Sequence, residues 1–270
     1  MNLRNMSRQV IDRREFLTLP LALLLWPLAR ANATAVAHTA PYRVDVSLLY
    51  GALIYRLDET FVESVDKSGG RYEVAVTGEG DGIANRIESA GTLRQGRWAP
   101  LRTQSFFSVK GRESRSTVTY DYAARRVDYH FKGETFFLRR LRVVDDVVPM
   151  PEGARIDDAI SATLNYTDQL WPAEPDGSLT THIVRRKIAS NEGPDDVQAR
   201  YQAELAPFKL SVGVDAESRK PIGRFDLTRF SSWARQSQPA QITFGADRRP
   251  EQMNLPMILG TSVQIRLKTA

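Results

Sequence analysis

The sequence predicts a mainly β fold, in which a curved antiparallel sheet or incomplete barrel of roughly ten strands packs against one amphipathic helix. After the first thirty residues, apolar side chains recur mostly at every second position, which is typical of strands with one buried face. Turn signals rich in glycine separate these runs at short intervals, which favours an antiparallel meander. One long segment has helical spacing instead.

The predicted strands follow one another closely along the chain. The first covers residues 42–50 and ends at Gly51, where the absent side chain permits a bend. Alternation predicts the others in residues 72–76, 117–120, 127–131, 136–138, 141–143, 182–184, 208–212, 225–227 and 263–267. Turn signals lie at residues 68–70, 95–96, 110–111, 132–133, 176–177 and 220–221.

Residues 156–171 are predicted to form the amphipathic helix, about four turns long. The apolar residues at helical spacing are Ile156, Ile160, Leu164 and Trp171. Asp157 and Asp158 are placed in its first turn, where carboxylates interact well with the helix dipole, and Pro172 ends it. Its apolar stripe is expected to pack on the concave side of the sheet. A shorter helix is predicted over residues 83–88.

Residues 1–33 have the three parts of a signal peptide. A basic start is followed by an apolar stretch over residues 16–29 and by small residues before a cleavage site after Ala33. Ala37 ends a second candidate cleavage site. Residues 34–270 contain no linker rich in proline or serine, so they are predicted to form a single exported β-rich domain.

The signal carries a paired arginine. Arg13 and Arg14 are followed one residue later by Phe16 and Leu17, which resembles the twin-arginine export motif except at its two flanking positions. We therefore expect twin-arginine export to the periplasm, with general secretion as the alternative. An uncleaved anchor helix is disfavoured because two prolines interrupt a stretch shorter than a full span, so no stable membrane span is expected after cleavage.

Most of the positive charge belongs to this signal. Residues 1–33 carry five arginines against two acidic residues, whereas the whole chain has a formal net charge of +5. The remainder is too small for the sustained basic face that nucleic-acid binding needs. The chain has no cysteine, which excludes disulfides, thiolate metal sites and lipid attachment through a cysteine.

The residues capable of catalysis form no recognisable active-site pattern. His38, His130 and His182 lie far apart in the sequence, so no metal site is predicted, and no nucleotide-binding motif predicts a cofactor. Aspartate pairs occur at residues 145–146, 157–158 and 195–196. Two carboxylates facing each other across a cleft could hydrolyse a glycosidic bond. Adjacent aspartates on a strand point to opposite faces, however, and those that open a helix interact with its dipole.

Aromatic residues give the better indication of a binding site. Five of them are predicted to line an apolar chamber closed by the helix: Trp98, Phe106, Phe136, Tyr166 and Trp171. Such a chamber would hold an acyl chain or another apolar ligand. The alternative is that the rings simply fill the core.

The order of elements resembles a bacterial family of exported proteins known only as a domain of unknown function. The similarity covers about residues 42–268 and is carried by short motifs at residues 50–51 (YG), 96–101 (GRWAPL), 120–122 (YDY), 158–161 (DAIS) and 254–257 (NLPM). Members of that family look like relatives of periplasmic lipoprotein carriers. The resemblance implies a strongly curved incomplete barrel that is lidded by helices and holds acyl chains. This chain differs in having one clear lid helix rather than several.

We therefore expect an exported periplasmic protein that acts as a binding or chaperone-like module for an apolar or amphiphilic component of the cell envelope. Its partners would be a lipid or other amphiphile and an envelope protein. Two alternatives stay open, a carboxylate-dependent envelope hydrolase and a structural interaction scaffold of the envelope. An outer-membrane barrel fits the strand number but is disfavoured, because the chain ends without a terminal aromatic residue and twin-arginine export delivers folded proteins.

Overall fold

Strands dominate the structure, a computed structural model that describes residues 35–48, 52–135, 138–189, 192–193 and 195–268. Fifteen strands, β1 to β15, and one α-helix, α1, occur in this part of the chain. The strands before the helix are Val36–Leu48, Ala52–Asp66, Arg71–Gly80, Ile83–Arg94, Arg97–Val109, Arg112–Asp121, Arg126–Glu134, Leu141–Pro149 and Ile156–Asp157. The helix is Ala159–Thr167. The strands after it are Leu179–Arg186, Ala203–Val214, Pro221–Phe225, Ala240–Phe244, Pro250–Pro256 and Ser262–Leu267.

The sheet is a meander in which most strands pair with their neighbours in the sequence. Its order runs from β8 back to β1, continues to β15, and then runs back to β9. β1 therefore pairs with β2 on one side and with β15 on the other, for example through Val44 opposite Ile265. Within the described residues every strand pairing is antiparallel except that of β9 with β10. The predicted curved antiparallel sheet with one packed helix is confirmed, with more strands than the ten expected.

The additional strands include β2, whose inner face is partly polar. Along β2 buried and exposed positions alternate as they should, but Glu59 and Glu63 occupy two of the buried positions. Glu59 accepts a hydrogen bond from Nδ2 of Asn85, and Glu63 forms an ion pair with Arg249. Because a carboxylate at a buried position interrupts the apolar alternation, period-two patterning alone did not predict this strand.

Several predicted elements differ in the structure. Of the strand predicted over residues 225–227, Phe225 ends β12, whereas Leu227 begins a short 3-10 helix, Leu227–Arg229. The turn predicted at residues 132–133 lies inside β7.

The helix predicted over residues 83–88 is wrong, because these residues belong to β4, which pairs along its length with β3 and β5. A tight turn with positive φ at Asp81 and Gly82 leads directly from β3 into β4, so ladder pairing prevails over helix propensity. The strand predicted over residues 136–138 falls partly outside the described residues, and Leu138 lies in a turn before β8.

The amphipathic helix is shorter than predicted. Ile156 and Asp157 form β9, which pairs with β10, and Asp158 is the N-cap, with extended backbone and a carboxylate that accepts from the Ser161 amide at 2.6 Å. The helix ends at Thr167, because Gln169 adopts positive φ and the Leu170 amide then donates to the Asn165 carbonyl at 2.8 Å. α1 therefore has nine residues rather than about four turns.

α1 is covered by apolar contacts on two sides. Ile160 and Leu164 pack against a buried cluster formed by Val65, Tyr72, Val74 and Trp98. Ala162 and Tyr166 pack against a second cluster formed by Trp171, Leu179, Leu210 and Phe244. The expectation that Ile160 and Leu164 face the sheet is confirmed. Strands before the helix supply the first cluster, and strands after it supply the sheet residues of the second. The helix therefore joins these two parts of the sheet into one core.

Candidate functional site

A cavity of about 630 Å³, here called the apolar cavity, lies where β5 turns into β6. Apolar side chains form most of its wall: Val46, Ile54, Tyr55, Ile83, Phe107, Val109, Trp233, Met257 and Val263. Two of them, Ile83 and Val109, also belong to a buried cluster with Val44 and Leu57, which forms its base. A volume of this size is within the usual range for small-molecule sites, roughly 300–1,000 Å³.

Strand register explains why these side chains converge. Val46 on β1 is paired with Tyr55 on β2 and with Val263 on β15, and Ile83 on β4 is paired with Val109 on β5. Directly paired residues of neighbouring strands project to the same face of a sheet. Two hairpins, β1–β2 and β4–β5, and the distant strand β15 therefore supply most of one apolar wall.

Three basic residues lie in this wall, Lys110, Arg112 and Arg142. The Lys110 Nζ lies 5.3 Å from the centre of the Tyr55 ring, within the range of a cation–π contact. Arg142 is 9 % exposed, its Nε donates to the Asp196 carbonyl oxygen at 3.0 Å, and its guanidinium lies 3.6 Å from the Glu192 carboxylate. An apolar wall with a cation such as Lys110 beside it suits an amphiphile whose polar group is anionic.

The acidic residues of the same wall have basic partners outside it. Glu113 lies 3.0 Å from a guanidinium nitrogen of Arg115, and Glu134 lies 2.9 Å from one of Arg139. Their charges are therefore largely balanced by neighbouring arginines rather than by Lys110 or Arg142.

A polar chamber of about 430 Å³ shares Arg142 with the apolar cavity. Hydroxyl groups line much of it: Thr103, Ser105, Ser116, Tyr120 and Tyr129. The hydroxyls of Ser105 and Ser116 lie 2.8 Å apart, and burial raises the pKa of Tyr129 to about 12, which keeps its phenol neutral near pH 7. This chamber can donate and accept hydrogen bonds with the polar part of a ligand.

The Asp157 and Asp158 pair lies at the base of the helix and is fully engaged in hydrogen bonds. Asp157 accepts from Ser161, Asn165 and Thr181 and forms an ion pair with Arg97. Asp158 accepts from Ser89 and Thr103, both at 2.5 Å, besides capping α1. Burial raises the pKa of Asp157, and Arg97 opposes that effect. These contacts hold β9, β10 and α1 together, which is a structural role.

The other aspartate pairs also have partners that account for them. Asp145 accepts from the exposed His130 ring at 2.9 Å, and Asp146 accepts from the Ala203 amide at 2.8 Å. Asp195 accepts from the Leu138 amide at 2.7 Å. None of these described pairs presents two opposed carboxylates across an open cleft, which is the arrangement that a glycosidase needs.

A third cavity, of about 690 Å³, lies between β10, β11, β12 and the segment before β13. Three phenyl rings contribute to it, with Phe208 5.3 Å from Phe225 and 5.7 Å from Phe230 between ring centroids. Charged and amide side chains interrupt this aromatic surface: Lys209, Arg224, Asp226, Arg229, Gln236 and Gln238. Charged side chains also lie in the wall of the 630 Å³ cavity, but more apolar side chains line it than line this one, so it is the better candidate for an acyl chain.

The structure separates the five aromatic residues that the sequence predicted to line one chamber. Trp98 is buried, and its indole Nε1 donates to Asp168 at 2.9 Å. Tyr166 and Trp171 lie together in the second cluster beside α1. Phe106 on β5 is paired with Arg115 on β6, whose guanidinium is 4.7 Å from the ring centre. Phe136 lies outside the described residues.

The cavity-lining residues that sequence reasoning missed include Tyr55, Phe107 and Val263. A β-bulge in β5 explains why Phe107 rather than Phe106 lines the cavity. Gly91 pairs with Pro100 and the adjacent Ala90 pairs with Arg102, so β5 has one extra residue between them. The extra residue on β5 reverses which face the following side chains reach. Alternation within residues 263–267 was a signal for Val263, but no sequence feature marks the bulge.

Within the described residues, no helix has the length and apolar composition to cross a membrane. Over the same part of the chain, no group of three or more histidine, aspartate and glutamate side chains is placed to hold a metal ion. The export residues Arg13, Arg14, Phe16 and Leu17 lie outside the described residues, so the signal prediction stays a prediction.

The chain is similar to a solved structure of a β-barrel-like protein of the domain of unknown function DUF1849 from Brucella abortus, with 10 % sequence identity and a TM-score of 0.40. The match covers 87 % of this chain and 96 % of that one. No family model matches the chain. No curated protein matches it either. The resemblance to a family of exported proteins stays a prediction.

Proposed function

We propose that this protein is an exported, periplasmic binding or chaperone-like module that holds an apolar or amphiphilic component of the cell envelope in the apolar cavity. The observation that carries the proposal is the wall of that cavity, to which five strands contribute apolar side chains. Each methylene of an acyl chain moved from water into such a wall gains about 0.8 kcal/mol. Lys110 would face an anionic group on the same ligand.

Periplasmic localisation rests on the sequence of the signal. Paired arginines followed by Phe-Leu and an apolar stretch are the features that support it. An envelope amphiphile is the ligand that such a location makes accessible to an apolar cavity. The hydrolase and scaffold alternatives have no comparable supporting geometry among the described residues.

Two neighbouring residues of β5 provide a test. Phe107 lines the cavity, whereas Phe106 lies on the opposite face beside Arg115. Phe107→Asp would place a carboxylate in the apolar wall, so we expect the affinity for a fluorescent fatty acid to fall at least tenfold. Phe106→Asp makes the same change on the other face and should bind like the wild type. Fluorescence titration measures both, with circular dichroism to verify the sheet.

Mass spectrometry of a solvent extract gives an independent measurement. The wild-type protein purified from its native host should carry an amphiphile, which the Phe107→Asp variant should lack. If the wild type carries none and titration with fatty acids and lysophospholipids shows no saturable binding, the proposal is wrong. Equal losses of affinity in the two variants would also contradict it, because binding would then not depend on the cavity face.

A further inference from the structure

A smaller pocket, of about 300 Å³, lies at the other end of β5 and is here called the arginine pocket. The turn between β4 and β5, the turn between β6 and β7, and the loop between β8 and β9 meet there. These three segments bring together four arginines, Arg94, Arg97, Arg125 and Arg155. The thirteen residues of β5 span on the order of 40 Å, so this pocket is separate from the apolar cavity.

Arg94 and Arg97 are held side by side by the backbone. They are paired across the turn between β4 and β5, and both turn residues, Gln95 and Gly96, adopt positive φ. Like charges directly opposite each other on paired strands destabilise a sheet. Asp157 pairs with Arg97 and offsets part of this repulsion, and an anion beside Arg94 would offset more of it.

Three of the four guanidinium groups of this pocket have a carboxylate partner. Arg97 pairs with the buried Asp157, and Arg155 lies 3.3 Å from Glu174. Arg125 lies 3.4 Å from Glu152, whose side chain is 91 % exposed. The guanidinium of Arg94 lies over the Tyr122 ring, 4.6 Å from its centre, and makes no ion pair with a described residue. Arg94 is therefore the guanidinium group with which an added anion can pair.

Two buried hydrogen-bond donors in the pocket have no partner. Among the described residues, neither Nη1 of Arg97 nor the hydroxyl of Tyr122 makes a hydrogen bond, although both atoms are buried. A tyrosine hydroxyl keeps its proton at neutral pH, and burial, followed by the charges of Asp157 and Asp158, raises the pKa of Tyr122 further. Buried donors are normally satisfied, and a bound anion is one partner that could satisfy these two.

We propose that the arginine pocket binds a phosphate group. A tetrahedral phosphate presents several acceptor oxygens in different directions, which matches guanidinium and phenol donors that converge from three segments. A planar carboxylate would be satisfied by one arginine. The volume of the pocket leaves room for a small substituent on the phosphate, which could belong to a lipid headgroup or to a soluble phosphate ester.

Calorimetric titration with glycerol 3-phosphate and sedimentation with vesicles test the two sources. The vesicles contain phosphatidylcholine with or without phosphatidic acid. Saturable binding of glycerol 3-phosphate assigns a soluble ester, and binding only to vesicles that contain phosphatidic acid assigns a lipid headgroup. Absence of binding in both experiments overturns the proposal.

Three variants locate the binding. Arg94→Gln should lower the affinity at least tenfold, and Tyr122→Phe, which keeps the charge, should lower it about fivefold. Arg86→Gln removes the same charge from an exposed ion pair with Glu88 on β4 and should leave the affinity unchanged. Equal losses for Arg94→Gln and Arg86→Gln would mean general charge attraction and would overturn the proposal. Fatty-acid binding should survive Arg94→Gln, and phosphate binding should survive Phe107→Asp, so the two proposals can fail independently.

Discussion

Glu59 is a carboxyl group buried on the inner face of β2 without a basic partner in the described structure. Its one side-chain hydrogen bond comes from Nδ2 of Asn85 at 2.8 Å. It lies against Gly78 on β3, where an added Cβ would come within 2.4 Å of the Glu59 side chain. Burial raises the pKa of Glu59, and the hydrogen bond from Asn85 only partly opposes this.

The raised pKa makes folding stability depend on pH. Between the ordinary glutamate pKa and the raised one, the folded state binds this proton more tightly than the unfolded state does, so stability falls as pH rises through that window. Glu59→Gln keeps an acceptor for Asn85 and removes the charge. We therefore expect the variant to match the wild type near pH 4 and to exceed its free energy of unfolding at pH 7.

Urea denaturation at both pH values measures this difference. Glu73→Gln, an exposed glutamate on the neighbouring strand β3, is the control and should track the wild type at both values. A Glu59→Gln effect that is the same at pH 4 and pH 7 would mean that Glu59 is not protonated on folding in this range.

The helix α1 shows how far an element can be predicted from the sequence. The spacing of Ile160 and Leu164 predicts its centre and its buried face, because both depend on local periodicity. Its ends depend on tertiary contacts, since Asp157 is drawn into pairing with β10 and Asp158 caps the helix. The bulge in β5 and the cavity wall that it defines could not be predicted from local sequence either, because pairing with the partner strand determines both.

The prediction for the helix concerns the contribution of Leu164 to stability. It is 2 % exposed and contacts the cluster around Trp98, so Leu164→Ala should cost about 2–5 kcal/mol of unfolding free energy. Thr163→Ala is the matched control in the same helix, because the Thr163 hydroxyl bonds only to the Ala159 carbonyl of the preceding turn. The control should change stability by less than about 1 kcal/mol. Chemical denaturation compares the two, and equal effects would contradict the buried position of Leu164.

For the whole molecule, the two proposed sites lie at opposite ends of one long strand. The apolar cavity lies where β5 ends and the arginine pocket lies where it begins. The sheet curves around α1 between them, so each site is formed by turns and strand ends that the same hairpins supply. Sequence reasoning predicted the fold class but placed the aromatic residues in one chamber, whereas Trp98, Phe106 and Tyr166 lie in different surroundings in the structure, because strand order and register decide which side chains meet.

Export provides the prediction for the whole chain. If the twin-arginine translocase recognises Arg13 and Arg14 as a pair, changing both to lysine should leave the precursor in the cytoplasm. Cell fractionation and immunoblotting of precursor and mature forms measure this. Undiminished mature protein in the periplasm would contradict the twin-arginine route. The matched control within the same signal changes Arg4 and Arg8 to lysine and should leave export unchanged.

The pairing of β1 with β15 has a consequence for the timing of folding. Val46 and its partner Val263 are separated by more than 200 residues, and synthesis at roughly 5–20 residues per second takes about 10–40 s to cover that distance. During this interval the β1 edge that β15 will occupy has exposed backbone groups that can pair with other chains. A nascent chain with this topology keeps that edge open to pairing with other chains until its last strand emerges from the ribosome.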